Sequence, residues 1–230
     1  MEVFFKNQLF KGLKSIWSSE EQNDDILVDF QKFLDKNKNE HILCFFSYDL
    51  KNNIEKLTSK NSDAIKFPQI ICFVPKEISN SDLIKSETVE GERIHFIPKI
   101  TKEKYLENIV KIKNHIQKGD FYEGNYCYEW AAKTEVKNPK TIYNKLKKIT
   151  EAPYGFYADL ENYNIMSASP ELYIKKRGNK IYSSPIKGTQ KKDEDPKKDK
   201  LLKKQLENSL KDQAENNICL LYTSDAADDS

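Results

Sequence analysis

The residues of this chain best suited to chemistry lie in the segment SASPELYIKKRGNKIYSSPIKGT, residues 167–189. Glu171 and Lys187 are sixteen positions apart, one on each side of a predicted hairpin, so an antiparallel return can bring both to one cavity. A carboxylic acid beside an amine can act as acid and nucleophile when burial adjusts both proton affinities. Gly188 would let the backbone approach a ligand, and Thr189 adds a hydroxyl group. A Glu and a Lys that flank a hairpin are more commonly solvated surface residues, so the spacing alone leaves that alternative open.

Three helices are predicted around this segment. Apolar residues recur at helical spacing in three stretches, and the first and third have an aspartate where an N-cap would lie. The first stretch follows Asp25, the second follows Thr101 and ends at Gly119, and the third begins with Asp195 and Pro196.

Short apolar runs separated by polar segments predict the strands. Before Thr101 these runs are HILCFFSYDL, FPQIICFVP and RIHFIPKI. After Gly119 the period becomes two, and the candidates are FYEGNYCYEWAA, YGFYADL, NYNIMSAS, ELYIKK and KIYSS, with tight turns at ENYN and RGNK. Runs of strands with helices segregated from them favour an α+β fold over a doubly wound parallel sheet.

Composition excludes several functional classes. The chain has 38 Lys and Arg against 36 Asp and Glu, a net charge of +2, so no large field would attract nucleic acid. The apolar runs are too short to cross a bilayer, and the first residues lack the apolar core of a signal peptide. The 4 cysteines are scattered and form no CxxC pair. We therefore expect a cytoplasmic protein with reduced cysteines and no membrane partner.

A non-catalytic basic binding module is the alternative from a different class. Eight lysines lie between residues 187 and 204. Acidic residues are interleaved with them, however, and no aromatic stacking pattern accompanies them. The stretch is typical of a solvated loop and helix face, and no nucleic-acid partner is expected.

Four motifs together point to a known family. They are GDFYEGNYC (119–127), SPE (169–171), PIKGT (185–189) and SLKDQAEN (209–216). In this order and spacing, over about residues 100 to 217, the chain resembles the chorismate-binding enzymes, which include anthranilate, aminodeoxychorismate and isochorismate synthases. The resemblance implies an α+β fold of two packed antiparallel sheets with outer helices, here truncated.

The resemblance also implies roles for single residues. Glu171 matches the general acid that protonates the departing C4 hydroxyl of chorismate. Gly188 and Thr189 match contacts to the substrate, and Glu215 matches a ligand of a catalytic Mg2+. An oxygen ligand suits a partly hydrated Mg2+ that must also hold a substrate carboxylate.

Lys187 decides the expected branch of the family. Anthranilate and isochorismate synthases usually have Ala at this position, whereas the aminodeoxychorismate branch commonly has Lys, whose amine can attack C2. The chain has Glu123 where isochorismate synthases place a lysine base, and its N-terminus lacks the Leu-Leu-Glu-Ser type of feedback segment. The expected reaction is amination of chorismate at C4, with ammonia from a glutamine amidotransferase subunit. Amination at C2, the anthranilate synthase reaction, is the alternative.

The predicted organisation has three parts. Residues 1–100 form an N-terminal α+β part, and residues 101–218 form the first half of the chorismate-binding domain. Residues 219–230 depart from the family, because CLLYTSDAADDS resembles a translated sequencing adapter and suggests an assembly break after about Ile218. A chain truncated in this way is expected to be inactive.

Overall fold

The computed structural model describes residues 1–19, 25–55, 57–59, 61–81, 94–186, 188–210 and 212–213. Lys187, Glu215 and the predicted tail 219–230 lie outside the described residues. The chain divides into two compact units, one formed by Met1–Ile84 with Tyr143–Ser230 and the other by Lys85–Ile142. This division does not test the predicted boundaries at residues 100 and 218, which stay a prediction.

Short strands and five α-helices alternate along the described residues. The strands are Glu2–Phe5 (β1), Gln8–Lys11 (β2), Ser15–Ser18 (β3), Leu43–Phe46 (β4), Ile70–Val74 (β5), Glu77–Asn80 (β6), Ile97–Pro98 (β7), Trp130–Ala131 (β8), Phe156–Asp159 (β9), Asn164–Ser167 (β10), Leu172–Arg177 (β11) and Lys180–Ser184 (β12). The helices are Ile26–Lys36 (α1), Lys51–Ile54 (α2), Lys102–Lys118 (α3), Pro139–Thr150 (α4) and Pro196–Glu207 (α5), and Tyr48–Leu50 is a 3-10 turn.

Two antiparallel sheets pack face to face in the first unit. One has five strands in the order β10-β9-β1-β2-β6, and the other has three in the order β3-β5-β4. Val3, Phe10 and Ala158 of the larger sheet share one buried cluster with Ile71 and Phe73 of the smaller sheet. The predicted α+β fold with two packed antiparallel sheets is therefore confirmed.

Helices cover the outer faces of these sheets. Successive strand side chains point to opposite faces, so Phe4 and Tyr157 lie opposite the central cluster and pack with Tyr143 of α4. On the smaller sheet, Ile70 and Cys72 face away from the centre and pack with Ile26 of α1. Burial on both faces explains why β5 reads as the continuous apolar run IICFV rather than as an alternating pattern.

The second unit is built around α3. Thr101 caps the helix, since its side chain accepts a hydrogen bond from the Lys104 backbone N–H at 3.2 Å. The helix ends at Gly119, which has a φ of 81°, as the sequence predicted. The ring of Tyr105 contacts those of Tyr126 and Tyr128, with centroids 5.6 and 5.5 Å away.

The strand predictions were too long in two places. Of the run 93–100, the described residues 94–100 contribute only β7, and the run 121–132 contributes only β8. These two strands pair antiparallel through Ile97↔Ala131 and Pro98↔Trp130. Within the described residues, no helix combines the length and apolar character needed to span a membrane.

Candidate active site

The hairpin predicted between Glu171 and Lys187 is present. Strands β11 and β12 pair antiparallel from Arg177↔Lys180 at the turn to Leu172↔Ser184 at the open end. The register shifts between Leu172 and Lys175, which bends the ladder near that end. Because Leu172 pairs with Ser184, Glu171 and Pro185 flank the same end of the hairpin. The hairpin thus brings Glu171 to the start of the PIKGT segment.

Glu171 is held through its backbone rather than its side chain. The Ser169 hydroxyl donates to the Glu171 carbonyl oxygen at 3.1 Å and accepts from the Glu171 N–H at 3.4 Å. The Tyr154 N–H donates to the Ser169 carbonyl oxygen at 3.1 Å, which ties the SPE motif to the segment before β9. The Glu171 side chain itself is exposed. The described residues therefore do not bury the Glu171 carboxyl group as a general acid would require.

Gly188 connects the PIKGT segment to the last motif. Its φ is 77°, and a Cβ atom placed on it would lie 2.7 Å from Oδ1 of Asp212 and 3.0 Å from its Cβ. Asp212 lies in a short helical turn that Ser209 begins: the Asp212 N–H donates to the Ser209 hydroxyl at 3.3 Å. Gln213 N–H donates to the Ser209 carbonyl oxygen at 2.9 Å in the same turn. PIKGT and SLKDQAEN are thus in direct contact.

Sequence reasoning did not assign a role to Asp212. Its signal was its place in the SLKDQAEN motif, three positions before Glu215. Thr189 is exposed, and Lys187 and Glu215 lie outside the described residues, so their predicted roles stay predictions. The structure therefore brings three motifs together in sequence order: SPE with PIKGT through the hairpin, and PIKGT with SLKDQAEN through Gly188.

Helix α5 lies between PIKGT and SLKDQAEN in the sequence, and acidic side chains accept hydrogen bonds from backbone N–H groups at its start. The Asp195 side chain accepts from the Lys197 N–H at 2.9 Å, and Asp193 accepts from the Asp195 N–H at 2.9 Å. The Asp193 N–H in turn donates to the Asp199 carboxylate at 3.1 Å. The acidic residues interleaved in the basic stretch thus form a helix start, which favours the solvated-surface interpretation of this stretch over a binding face.

The GDFYEGNYC motif lies in the second unit, against the end of α3. Nδ1 of His115 lies 2.6 Å from Oδ2 of Asp120, and the Phe121 ring stacks on the imidazole at a centroid distance of 6.2 Å. The Asn108 side-chain amide donates to the Tyr126 hydroxyl at 2.5 Å. The motif therefore folds back on its own helix. The sequence assigned no role to His115; in the structure its imidazole contacts Asp120 and Phe121 in the turn that follows α3.

Neither a metal cluster nor the described cavity coincides with these motifs. Among the described residues, no three His, Cys, Asp or Glu side chains are grouped as a metal site requires. A cavity of about 390 Å3 lies in the first unit and is lined by residues such as Phe10, His41, Cys44 and Phe156. Its lining includes none of the described residues to which the sequence assigned a role.

The fold matches that of a chorismate-utilising enzyme. The structure superposes on a crystal structure named for a 2,3-dihydroxybenzoate-specific isochorismate synthase from Bacillus anthracis with a TM-score of 0.64. The match covers 94% of this chain and 57% of that chain, at 17% sequence identity, and so concerns the fold alone.

The sequence defines the family. The model of the chorismate binding enzyme family matches residues 84–223, more than half of the chain, and the chain belongs to that family. It is 37% identical over 121 residues to anthranilate synthase component 1 of Saccharomyces cerevisiae, a match covering 52% of this chain and 24% of the yeast protein. It is 32% identical over 117 residues to aminodeoxychorismate synthase component 1 of Klebsiella aerogenes, covering 51% of this chain and 26% of that protein. The chain thus spans about a quarter of these two relatives, and both kinds of aminating synthase are among its relatives.

Proposed function

We propose that this chain belongs to component I of an aminodeoxychorismate synthase, with residues 101–218 as the first half of its chorismate-binding domain. The whole protein would convert chorismate and ammonia to 4-amino-4-deoxychorismate, a step toward 4-aminobenzoate and folate. The observation that carries this choice of branch is the lysine in PIKGT, where related synthases that act at C2 usually have alanine. The hairpin supports the proposal, because the Leu172↔Ser184 pair sets Glu171 beside the start of PIKGT.

The proposed reaction gives Glu171 and Lys187 complementary tasks. The neutral amine of Lys187 forms a bond to C2 while the C4–O bond breaks, and the protonated Glu171 carboxyl gives its proton so that water leaves. Ammonia then bonds to C4, the double bond shifts back, and the C2–N bond to Lys187 breaks. The proton released by ammonia restores the acid. Gly188 and Thr189 would contact the substrate from the segment that carries Lys187.

The proposal includes a bound Mg2+ because the chain resembles the chorismate-binding enzymes, for which a catalytic Mg2+ is expected. The described residues supply no complete ligand set, so no step of the reaction is assigned to the ion. Glu215 would provide one oxygen ligand, and the ion would neutralise a carboxylate of bound chorismate. A glutamine amidotransferase subunit as the ammonia source and a cytoplasmic location also stay predictions.

Product analysis of the full-length protein tests the branch. The protein is incubated with chorismate, ammonium and Mg2+, and aminodeoxychorismate, anthranilate and isochorismate are separated by chromatography. Aminodeoxychorismate as the main product supports the proposal. Anthranilate as the main product would replace it with the second candidate, amination at C2, which the 37% identity to the yeast anthranilate synthase favours. Isochorismate would contradict both candidates.

A further inference from the structure

Cys44 and Cys72 lie directly opposite each other on neighbouring antiparallel strands. They are register partners in the β4–β5 pair. Both strands belong to the first unit, and both thiols are free. The sequence predicted reduced cysteines, because the four are scattered along the chain and form no CxxC pair. The strand register brings them together.

The type of pair they form suits a bond between the two sulfurs. The Ser47 N–H donates to the Gln69 carbonyl oxygen at 2.9 Å, so Ser47↔Gln69 is a hydrogen-bonded pair of this ladder. Hydrogen-bonded and non-hydrogen-bonded pairs alternate along an antiparallel ladder, so Cys44↔Cys72, three pairs further on, is non-hydrogen-bonded. Opposite Cα atoms in such pairs are about 4.5 Å apart, within the range of about 4.4–6.8 Å that disulfides span.

The two thiols differ in their surroundings. Cys72 is fully buried on β5, whereas Cys44 is half-buried. The Cys72 thiol donates a hydrogen bond to the Cys44 sulfur, which lowers the pKa of Cys44, while burial acts in the opposite direction. The same bond and burial raise the pKa of Cys72. Cys44 is therefore the thiol that a reagent reaches and the one that ionises first.

We propose that Cys44 and Cys72 are a redox-active thiol pair, a modification site that a low-molecular-weight disulfide converts to a cross-strand disulfide. The Cys44 thiolate attacks one sulfur of the reagent, the reagent's S–S bond breaks, and one thiolate leaves. Cys72 then loses its proton and attacks the Cys44 sulfur, which forms the protein S–S bond and releases the second thiolate. Two electrons pass from the cysteines to the reagent, and their two protons end on the released thiols.

The experiment uses the full 230-residue chain with oxidised glutathione as the probe. After reaction under native conditions, free thiols are alkylated and the protein is cleaved after lysine without reduction. Cleavage places Cys44 in peptide 39–51 and Cys72 in peptide 67–76. We expect these peptides to be joined, with a mass lower by two hydrogen atoms than their sum, and to separate on reduction. Cys127 is exposed and serves as the internal control, since it should carry glutathione without joining either peptide.

Single variants assign the order of the steps. Cys72→Ser should trap glutathione on Cys44, because the second attack cannot occur. Cys44→Ser should leave buried Cys72 unmodified under the same conditions. Two results would overturn the proposal: wild-type peptides 39–51 and 67–76 that stay separate and fully alkylated, or a link that forms only after unfolding. The wild-type measurement alone decides this, even if a variant fails to fold.

Discussion

Gly188 packs against Asp212 so closely that a Cβ atom at position 188 would lie 2.7 Å from the Asp212 carboxylate. This contact joins two motifs that are far apart along the chain, the PIKGT segment and the SLKDQAEN segment. Two physical reasons favour glycine there: the φ of 77°, which is strained for other residues, and the space that Asp212 occupies.

The first prediction separates these two reasons. Gly188→Ala should lower the free energy of unfolding by more than Gly178→Ala, the matched control. Gly178 also has a positive φ, of 58°, but a Cβ there would meet nothing within 4 Å. The control should therefore show only the backbone cost, about 1–2 kcal/mol. Denaturant unfolding of both variants measures the difference.

A second substitution completes this test. Asp212→Ala in the Gly188→Ala background removes the carboxylate and should recover part of the excess cost, which a double-mutant cycle would show as coupling. Equal costs at positions 188 and 178, or no coupling with Asp212, would mean that the two motifs do not touch in solution.

The second prediction concerns α4, whose Tyr143 is buried under the larger sheet with 1% of its surface exposed. Its ring meets that of Phe4 edge to face at 6.0 Å and that of Tyr157 at 5.8 Å. Tyr143→Ala should lower the free energy of unfolding by about 3–5 kcal/mol, the usual effect of deleting a large buried ring. Ile149→Ala is the control on the same helix, because Ile149 is 81% exposed and should change stability by about 0.5 kcal/mol or less. Similar effects for both variants would contradict the packing of α4 on the sheet.

The sequence predicted correctly those helices and hairpins whose ends are set by neighbouring residues, such as caps and turn glycines. Helix α3 was predicted from its apolar stripe and its stop at Gly119, and helix α5 from Asp195 as N-cap followed by Pro196; both helices are present. The β11–β12 hairpin was predicted from its RGNK turn, in which Gly178 adopts the positive φ that such turns need. Helix α4 was missed, although Asn138 accepts a hydrogen bond from the Thr141 N–H at 3.3 Å and Pro139 is its first residue.

Other errors came from contacts that the sequence pattern does not show. The β1–β2 hairpin turns at Lys6 and Asn7, both with positive φ, and this pair lacks the glycine that usually signals such a turn. The run 121–132 alternates like a strand, yet Phe121 stacks on His115 and Tyr126 bonds to Asn108, so most of it lies along α3. At the candidate site, the hairpin was local and predictable, whereas the contact of Gly188 with Asp212 depends on the fold.

The third prediction tests the acid. In the full-length protein, Glu171→Gln should lower turnover of chorismate by about 10²–10⁴-fold, because an amide cannot protonate the departing hydroxyl. Chorismate affinity should stay nearly unchanged, since the Ser169 hydroxyl holds this residue through its backbone. Glu194→Gln, an exposed residue in the loop before α5, is the control and should turn over normally. A large loss of affinity with normal turnover would assign Glu171 to binding instead.

The fourth prediction tests the residue on which the choice of branch depends. In the full-length protein, Lys187→Ala should reduce aminodeoxychorismate formation by roughly 10³–10⁶-fold, because the covalent step at C2 loses its nucleophile. Ammonia could then reach C2 directly, so a small yield of anthranilate is expected in its place. Lys191→Ala is the matched control, since it removes a side chain of the same type four positions later along the chain. If charge near the substrate were the only contribution of Lys187, both variants would slow the reaction by similar factors and neither would change the product. Aminodeoxychorismate formed at the original rate by Lys187→Ala would rule out covalent catalysis by this residue.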